Sequence, residues 1–405
     1  MPDELEIVSL NCWGLKYISE LTDERIAHIA DELANGTSDI VCLQEIWQRR
    51  HWRLLRDRVK DRLPHSKYFY SGMMGSGLAI LSRHPIIGTD MRPYTLNGRP
   101  QAFYRGDWFV GKGVASVVIL LPSKRKCQIF NTHMHAPYNE RVDTYLCHRT
   151  AQGWDLRKML KASVEAGYLT FATGDFNSVP GSLVHRFLTT YLSDSFITLN
   201  PELPLFPDSE TQQSAQELVD VYGATCDVSP LNSWRQTQAP DMEAKRLDYV
   251  FHDDKVVPKS VQVIFTERVP LVNCSPSDHF GLSCRYIIKE SGWHTYRPLD
   301  RSDYDEMLSL VNQYMKRERL HSELRIGHFW VSVVALFYIH YRMFLASPIV
   351  AGCLGLLSLV VAVTGLMSGL VGAIFGWWEL RSLYEFRDEV YRSRRMYALT
   401  IEAEE

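Results

Sequence analysis

The chain has 405 residues, 46% of them hydrophobic, and a formal net charge of −3. That is enough apolar material for one large or two smaller buried cores, while the near-neutral balance counts against a protein that grips duplex nucleic acid through a basic face. The eight cysteines show no CxxC pair or zinc-type spacing, which favours free thiols in a reducing compartment over a disulfide framework. Residues 1–10 carry neither a basic leader nor an apolar run, so the chain is expected to enter a strand directly, without a signal peptide.

Short runs rich in Val, Ile, Leu and Phe, bounded by Gly, Asn, Asp or Pro, follow in chain order. Residues 5–11, 40–44, 77–82, 114–121, 127–132 and 169–173 are predicted strands, as are 247–252, 262–265 and 282–288. Residues 23–33, 48–62 and 143–165 suit helices. Strands alternating with helices over one long stretch predict an α/β domain with one extended core.

Near residue 325 the composition changes. Residues 326–339 and 343–378 are apolar, and the second run has no Asp, Glu, Lys or Arg. The first run alone is short for a bilayer of roughly 30 Å; extended through His340, Tyr341 and Arg342 it comes close. Pro348 marks the start of the second span. The reading is a two-span helical hairpin. Lys316, Arg317, Arg319 and Arg325 precede it, and Arg381, Arg387, Arg392, Arg394 and Arg395 follow it. The positive-inside rule then places both ends, and the α/β domain, in the cytosol. The endoplasmic reticulum, the mitochondrial outer membrane and the plasma membrane all fit that topology. The predicted divisions are 1–290 for the α/β domain, 291–325 for a linker or juxtamembrane helix, 326–378 for the hairpin and 379–405 for a cytosolic helix. Gly365 and Gly369 form a GxxxG match that lets helices approach closely, within one chain or between the two chains of a homodimer. The basic flanks predict attraction to anionic lipids such as phosphatidylserine or cardiolipin.

Polar residues collect at the strand ends: Asn11, Glu45, His133, Asp175, Asn177 and Asp248, with Asp278 and His279 just before the last strand. Singly, each reads as a cap or turn residue. The ordered set Asn…Gln-Glu…Thr-His…Gly-Asp-Phe-Asn…Leu-Asp-Tyr…Ser-Asp-His resembles the DNase I-like endonuclease/exonuclease/phosphatase superfamily over roughly residues 5–290. Leu10-Asn11-Cys12-Trp13-Gly14-Leu15-Lys16-Tyr17, the glycines at 72, 75 and 77, and Gly106-Asp107-Trp108-Phe109-Val110-Gly111-Lys112 resemble neutral sphingomyelinases. Asn97-Gly98-Arg99-Pro100, His133-Met134-His135-Ala136-Pro137-Tyr138 and Tyr145-Leu146-Cys147-His148-Arg149 are similar to the fungal members, the inositol phosphosphingolipid phospholipases C.

The resemblance implies a four-layered α/β sandwich followed by a C-terminal membrane hairpin, and hydrolysis of a membrane sphingolipid to ceramide and a phosphorylated head group. It also agrees with the chemistry of the residues. A phosphodiester repels nucleophiles, so a hard divalent cation, Mg²⁺, is the expected cofactor. Glu45 is its expected first ligand, with Asn11 close by and Asp278 in support. His279 is expected as general base, oriented by Asp248. Asp175 and Asn177 would orient water and a phosphoryl oxygen, and His133 would bind phosphate or assist the leaving alkoxide. The resemblance further implies that Lys112 reaches the phosphate and that Asp107 competes for it; a surface ion pair is the plainer reading of those two. Arg99 and Arg105 suit the hydroxyls and phosphates of an inositol head group better than a choline cation, although plain pairing with carboxylates fits them equally. An apurinic endonuclease shares most of these elements but lacks a reason for the hairpin. An inositol polyphosphate phosphatase would show a Pro-x-Trp-Cys-Asp-Arg stretch, which is absent here, and a membrane scaffold would not need every catalytic position filled.

Overall fold

Strand β1 (Glu4–Asn11) sends Leu5 and Ile7 to one face and Val8 and Leu10 to the other, all buried. A strand apolar on both faces must be covered on both. The computed structural model describes residues 4–404 apart from 101, 103–105, 140–141, 208–212, 227–230, 235–243, 291 and 293. Within it, β1 belongs to a six-stranded sheet with β2 (Ile40–Gln44), β3 (His65–Tyr68), β4 (Ala79–Ser82), β11 (Val256–Ile264) and β12 (Gly281–Ile288), in the order β11-β12-β1-β2-β4-β3. A second six-stranded sheet has β5 (Ile86–Pro93), β6 (Gly113–Leu120), β7 (Lys126–His133), β8 (Leu169–Asp175), β9 (Ser193–Asp194) and β10 (Asp248–His252), in the order β5-β6-β7-β8-β10-β9.

Three apolar layers hold these sheets. Ile7, Ile40 and Ile80 meet Val117, Ile129 and Phe171 between the sheets. Val8, Leu10, Val41 and Leu43 pack outward against α1 (Thr22–Asn35) and α2 (Arg49–Val59) through Ile26, Ile29, Leu55 and Val59. On the far side Phe130, Ala172 and Phe251 pack on α3 (Leu146–Glu165) and α4 (Leu183–Leu188); two short helices, α5 (Ser195–Leu199) and α6 (Ala215–Asp220), follow. The result is the expected helix–sheet–sheet–helix sandwich. Each such Leu or Ile contributes about 1.5–3 kcal/mol by burial. Three strands went unpredicted, β3, β5 and the two-residue β9. In β5 most residues are partly or fully exposed, and β3 is half polar, so neither shows a clean apolar run.

The register fixes one functional end. The C-terminal ends of β1, β2, β7 and β8 and the N-terminal ends of β10 and β12 lie together, because β1 and β2 run parallel, β7 and β8 run parallel, and β10 and β12 run antiparallel to their neighbours.

This sandwich, Met1–Asn97 with Gly106–Leu299, is one compact unit; Gly98–Arg105 with Asp300–Glu405 is a second. In the second unit α7 (Arg301–Phe344) runs unbroken through the composition change at residue 325. It turns back into α8 (Pro348–Leu370), which continues through a π-helical turn (Val371–Phe375) into α9 (Gly376–Glu404). In α7, Met307, Val311, Tyr314 and Met315 recur at helical spacing and are buried. Among the described residues, Pro348–Leu399 is the one helix long and apolar enough to cross a membrane, with mean hydropathy 2.4 in its most apolar window. Such composition and exposure fit membrane association.

α7 and α8 form an antiparallel hairpin, and the GxxxG pair lies in its seam. A Cβ on Gly365 would lie 2.4 Å from Ser332 Cβ, and one on Gly369 2.8 Å from the Phe329 ring. His328 Nδ1 lies 2.8 Å from Ser368 Oγ, and Ser322 donates to the Gly372 carbonyl at 2.7 Å. Leucine at 365 and 369 should therefore destabilise the hairpin by about 1–3 kcal/mol per site through overpacking. The check is thermal unfolding in detergent together with solution mass. A lower Tm at unchanged mass is expected; a change from dimer to monomer mass would put the motif between chains.

Arg99 sits in this helical unit, buried. Its Nε donates to Tyr314 Oη at 2.7 Å and lies 3.5 Å from Glu318 Oε1, while Tyr314 donates to Glu379 at 3.4 Å. Burial, with Glu379 beside it, pushes the Glu318 carboxyl up to about 7 against the pull of Arg99. A carboxyl whose pKa is raised on folding stabilises fully at low pH, and that contribution is lost as pH rises through the folded-state value. The Tm of the helical unit should fall between about pH 5 and pH 8, and Glu318→Gln should flatten that fall. An equal fall in the variant would contradict the assignment.

Candidate active site

The chain must end each strand abruptly to present a side chain at the rim, and the backbone shows how it does so. Glu45, just past β2, has a left-handed φ of 58°, and Asn177 one of 46°. Such conformations cost non-glycine residues about 1–3 kcal/mol and collect at functional sites. Gly174, in β8 just before Asp175, has φ 133°, and a Cβ there would stand 1.9 Å from the Thr132 carbonyl oxygen. Only glycine lets β7 and β8 approach closely enough to set His133 opposite Asp175.

The rim residues then converge on one atom, Asp175 Oδ2. Asn11 Nδ2 donates to it at 3.0 Å and Asn177 Nδ2 at 3.3 Å. His133 Nε2 lies 3.5 Å away and His279 Nε2 3.8 Å. His279 Nδ1 is 2.8 Å from Asp248 Oδ2. Asn11 Nδ2 also reaches Glu45 Oε1 at 3.4 Å, and His133 Nδ1 lies 3.9 Å from that same oxygen. Below the site a hydrogen bond of 2.7 Å from Gln44 to Asn131 joins the two sheets.

Charge is arranged as carefully as position. Burial pushes Asp175 up to about 6, against the pull of His279. Burial also opposes a charge on His279, yet Asp248 and Asp175 hold its pKa well above the ordinary histidine range. His133 is driven well below that range by burial and by Lys112, whose Nζ lies 3.0 Å from His133 Nε2. The two histidines thus sit in opposite electrostatic surroundings, His279 between carboxylates and His133 beside an ammonium.

Two groups of atoms can receive a cation. Glu45 Oε2 is buried and, among the described residues, has no hydrogen-bond partner, which suits a carboxylate that binds a hard metal through oxygen. Asp175, Asp248 and His279 place ligand atoms within 4.8 Å of one another and could also hold an ion. Asp278, beside His279, accepts from Ser277 Oγ at 3.3 Å.

Residues 8–279 match the Endonuclease/Exonuclease/phosphatase family. The chain is 40% identical over 397 residues to the inositol phosphosphingolipids phospholipase C of Schizosaccharomyces pombe, covering 96% of this chain and 93% of that one. It belongs to this family, in the group of inositol phosphosphingolipid phospholipases C and neutral sphingomyelinases. Human sphingomyelin phosphodiesterase 2 is 37% identical over 309 residues, 76% of this chain and 64% of that protein. Among solved structures, humanized D. rerio TDP2 superposes with a TM-score of 0.50 at 19% identity, covering 70% of this chain and 98% of that one, a likeness of fold alone.

Of the residues singled out in the sequence, the fold of this family brings Asn11, Glu45, His133, Asp175, Asn177, Asp248 and His279 together. Lys112 joins them through His133, and Asp107 lies one step farther out, 3.7 Å from Lys112 Nζ and 3.4 Å from His135 Nε2. Tyr138 donates its hydroxyl to Asp107. Arg99 belongs to the helical unit, where its guanidinium is held by Tyr314 and Glu318. Arg105 lies outside the described residues.

Sequence reasoning missed Arg25. It is fully buried on α1, and its guanidinium donates to the carbonyls of Cys12 (3.1 Å), Pro276 (2.8 Å), Trp13 (2.8 Å) and Glu20 (2.9 Å). It also stacks on Trp13 and Trp234. Arg25 therefore ties the turn after Asn11 to the loop that carries Asp278 and His279. Its spacing from Ile29, one helical turn on, was the signal that it faces inward. Arg25→Lys, which keeps the charge but loses the fork, should lower kcat on the order of 10²-fold, as displacing catalytic groups does. KM should change much less. Equal kcat in steady-state kinetics would show that the clamp does not position the site.

Proposed function

We propose that this protein hydrolyses inositol phosphosphingolipids, and sphingomyelin, in phospholipase C fashion, releasing ceramide and a phosphorylated head group. The observation that carries the reading is the set of donors converging on Asp175 Oδ2 beside the Asp248–His279 pair, in a chain so similar to a phospholipase C of this group.

Glu45, with Asp278 in support, would hold Mg²⁺ through carboxylate oxygens, and the free Glu45 oxygen fits that demand; Asn11, whose Nδ2 donates to Glu45 Oε1 and whose Oδ1 accepts from the Trp13 backbone N–H, would stand beside the ion and steady Glu45. The ion supplies charge neutralisation of the phosphodiester when bound. The remaining work falls to side chains. Asp248 fixes the His279 imidazole so that Nε2 points to the rim, where it takes a proton from the attacking water. Asp175 and Asn177 orient that water and a phosphoryl oxygen. His133, backed by Lys112, would bind a phosphoryl oxygen or help the ceramide alkoxide leave. Asp107 competes with phosphate for Lys112.

The hairpin is proposed to span the membrane twice with both ends in the cytosol, which keeps the catalytic unit beside its lipid. Its basic flanks should make phosphatidylserine or cardiolipin stimulate the rate. The test is a side-by-side assay of inositol phosphoceramide, sphingomyelin, abasic DNA and an inositol polyphosphate. Cleavage confined to the two lipids is expected; preference for DNA or for the soluble polyphosphate would overturn the reading.

A further inference from the structure

In the sandwich unit, the turns at the two ends of the sheets differ in what they expose. At the catalytic end, the turn after β1 carries Tyr17 and Ile18, 89% and 67% exposed. The β3–β4 connection carries Tyr70, Met73 and Met74, and the β11–β12 connection carries Leu271, 84% exposed. At the opposite end, the described turns 36–39, 60–64, 83–85, 121–125, 166–168 and 253–255 expose no large apolar side chain. Beyond those turns, Tyr296 in the tail after β12, Ile87 at the start of β5 and Val257 at the start of β11 are exposed there, at 48%, 51% and 40%. Exposed apolar groups concentrated at one end mark a binding surface.

The chemistry of these loops says what would cover them. The six side chains sit on three separate connections rather than on one continuous element. A bilayer adapts to scattered apolar groups. Lys16 Nζ lies over the Tyr17 ring at 4.4 Å, and the Arg49 guanidinium over the Tyr70 ring at 5.2 Å. Aromatic–basic pairs place the ring at head-group depth while the cation stays near phosphates. The same end bears the catalytic residues, and the bond to be cut in a sphingolipid lies at that depth.

We propose that the catalytic end of the sandwich unit docks directly on a lipid bilayer, with the loops at 15–21, 69–78 and 266–276 entering the head-group layer around the site. This deepens the sphingolipid reading and rests on it for its kinetic test. The test uses the full chain in nanodiscs and two variants, Ile18→Ser with Leu271→Ser, and Met73→Ser with Met74→Ser. Each should lose about tenfold or more in kcat/KM on inositol phosphoceramide embedded in the bilayer, and less than about twofold on a short-chain monomeric analogue. Equal losses on both substrates, or none on either, would overturn the proposal.

A second readout is independent of turnover. With Cys353→Ser as background, an environment-sensitive fluorophore is placed at Ile18→Cys or, at the opposite end, at Ser123→Cys. Spin-labelled lipids in the nanodisc should quench the first and not the second. If the wild type cleaved neither substrate, the functional reading would fail and quenching would still decide docking. Absence of quenching at position 18 would leave these loops to a protein partner and overturn the proposal.

Discussion

His279→Ala is expected to reduce turnover by at least about 10²-fold, the scale of a lost general base, and raising Mg²⁺ should not restore it. The expectation follows from a bond of 2.8 Å between His279 Nδ1 and Asp248 Oδ2. Asp248 is fully buried at the start of β10, where its backbone N–H donates to Thr225 Oγ1 at 3.2 Å, so the imidazole is held from a rigid strand. With Nδ1 taken, Nε2 is the nitrogen left for chemistry. The refusal of Mg²⁺ to rescue matters, because Asp175, Asp248 and His279 also lie close enough to ligate an ion. If His279 were chiefly a ligand, excess metal would recover much of the rate. Near-UV circular dichroism checks that the variant is folded. Turnover like the wild type's, or recovery in excess Mg²⁺, would remove the base assignment.

Glu45→Gln should behave in the opposite way. The amide keeps the size and the hydrogen bond to Asn11 but removes the negative charge from a site whose Oε2 atom has no hydrogen-bond partner among the described residues. The Mg²⁺ concentration for half-maximal activity should rise by roughly 10–100-fold or more, the range seen when metal-site carboxylates are perturbed. Activity should then return in part as Mg²⁺ is raised. Titration of chelator-stripped protein with Mg²⁺ measures both quantities, and an unchanged half-maximal concentration would place the ion elsewhere. Together the two variants separate metal from base: one loss yields to added ion and the other does not.

The seven residues that meet at the rim were legible because each ends or begins an apolar strand, and strand ends in a two-sheet sandwich have few places to go. The helical face of α7 was legible from its spacing. Other features depended on distant partners. Arg25 lies beside Asp23 and Glu24 and reads as one more charge on an amphipathic helix; its four backbone carbonyls come from residues up to Pro276. β5 is an edge strand in which no residue is fully buried, so it lacks the apolar run that marks β6 or β8. Arg99 stands between two strands of the sandwich in sequence, yet segment Gly98–Arg105 belongs to the helical unit. Nothing local announces that Tyr314 and Glu318, more than two hundred residues on, receive its guanidinium. The change in composition near residue 325 reflects a change of surroundings along one helix, because α7 continues through it.

If water attacks phosphorus and the ceramide oxygen leaves, hydrolysis of inositol phosphoceramide by the full-length protein in H₂¹⁸O puts the heavy oxygen in one product only. Mass spectrometry of both products should find unlabelled ceramide and ¹⁸O in the released inositol phosphate; free inositol with labelled ceramide phosphate, or no cleavage of the lipid at all, would refute this chemistry.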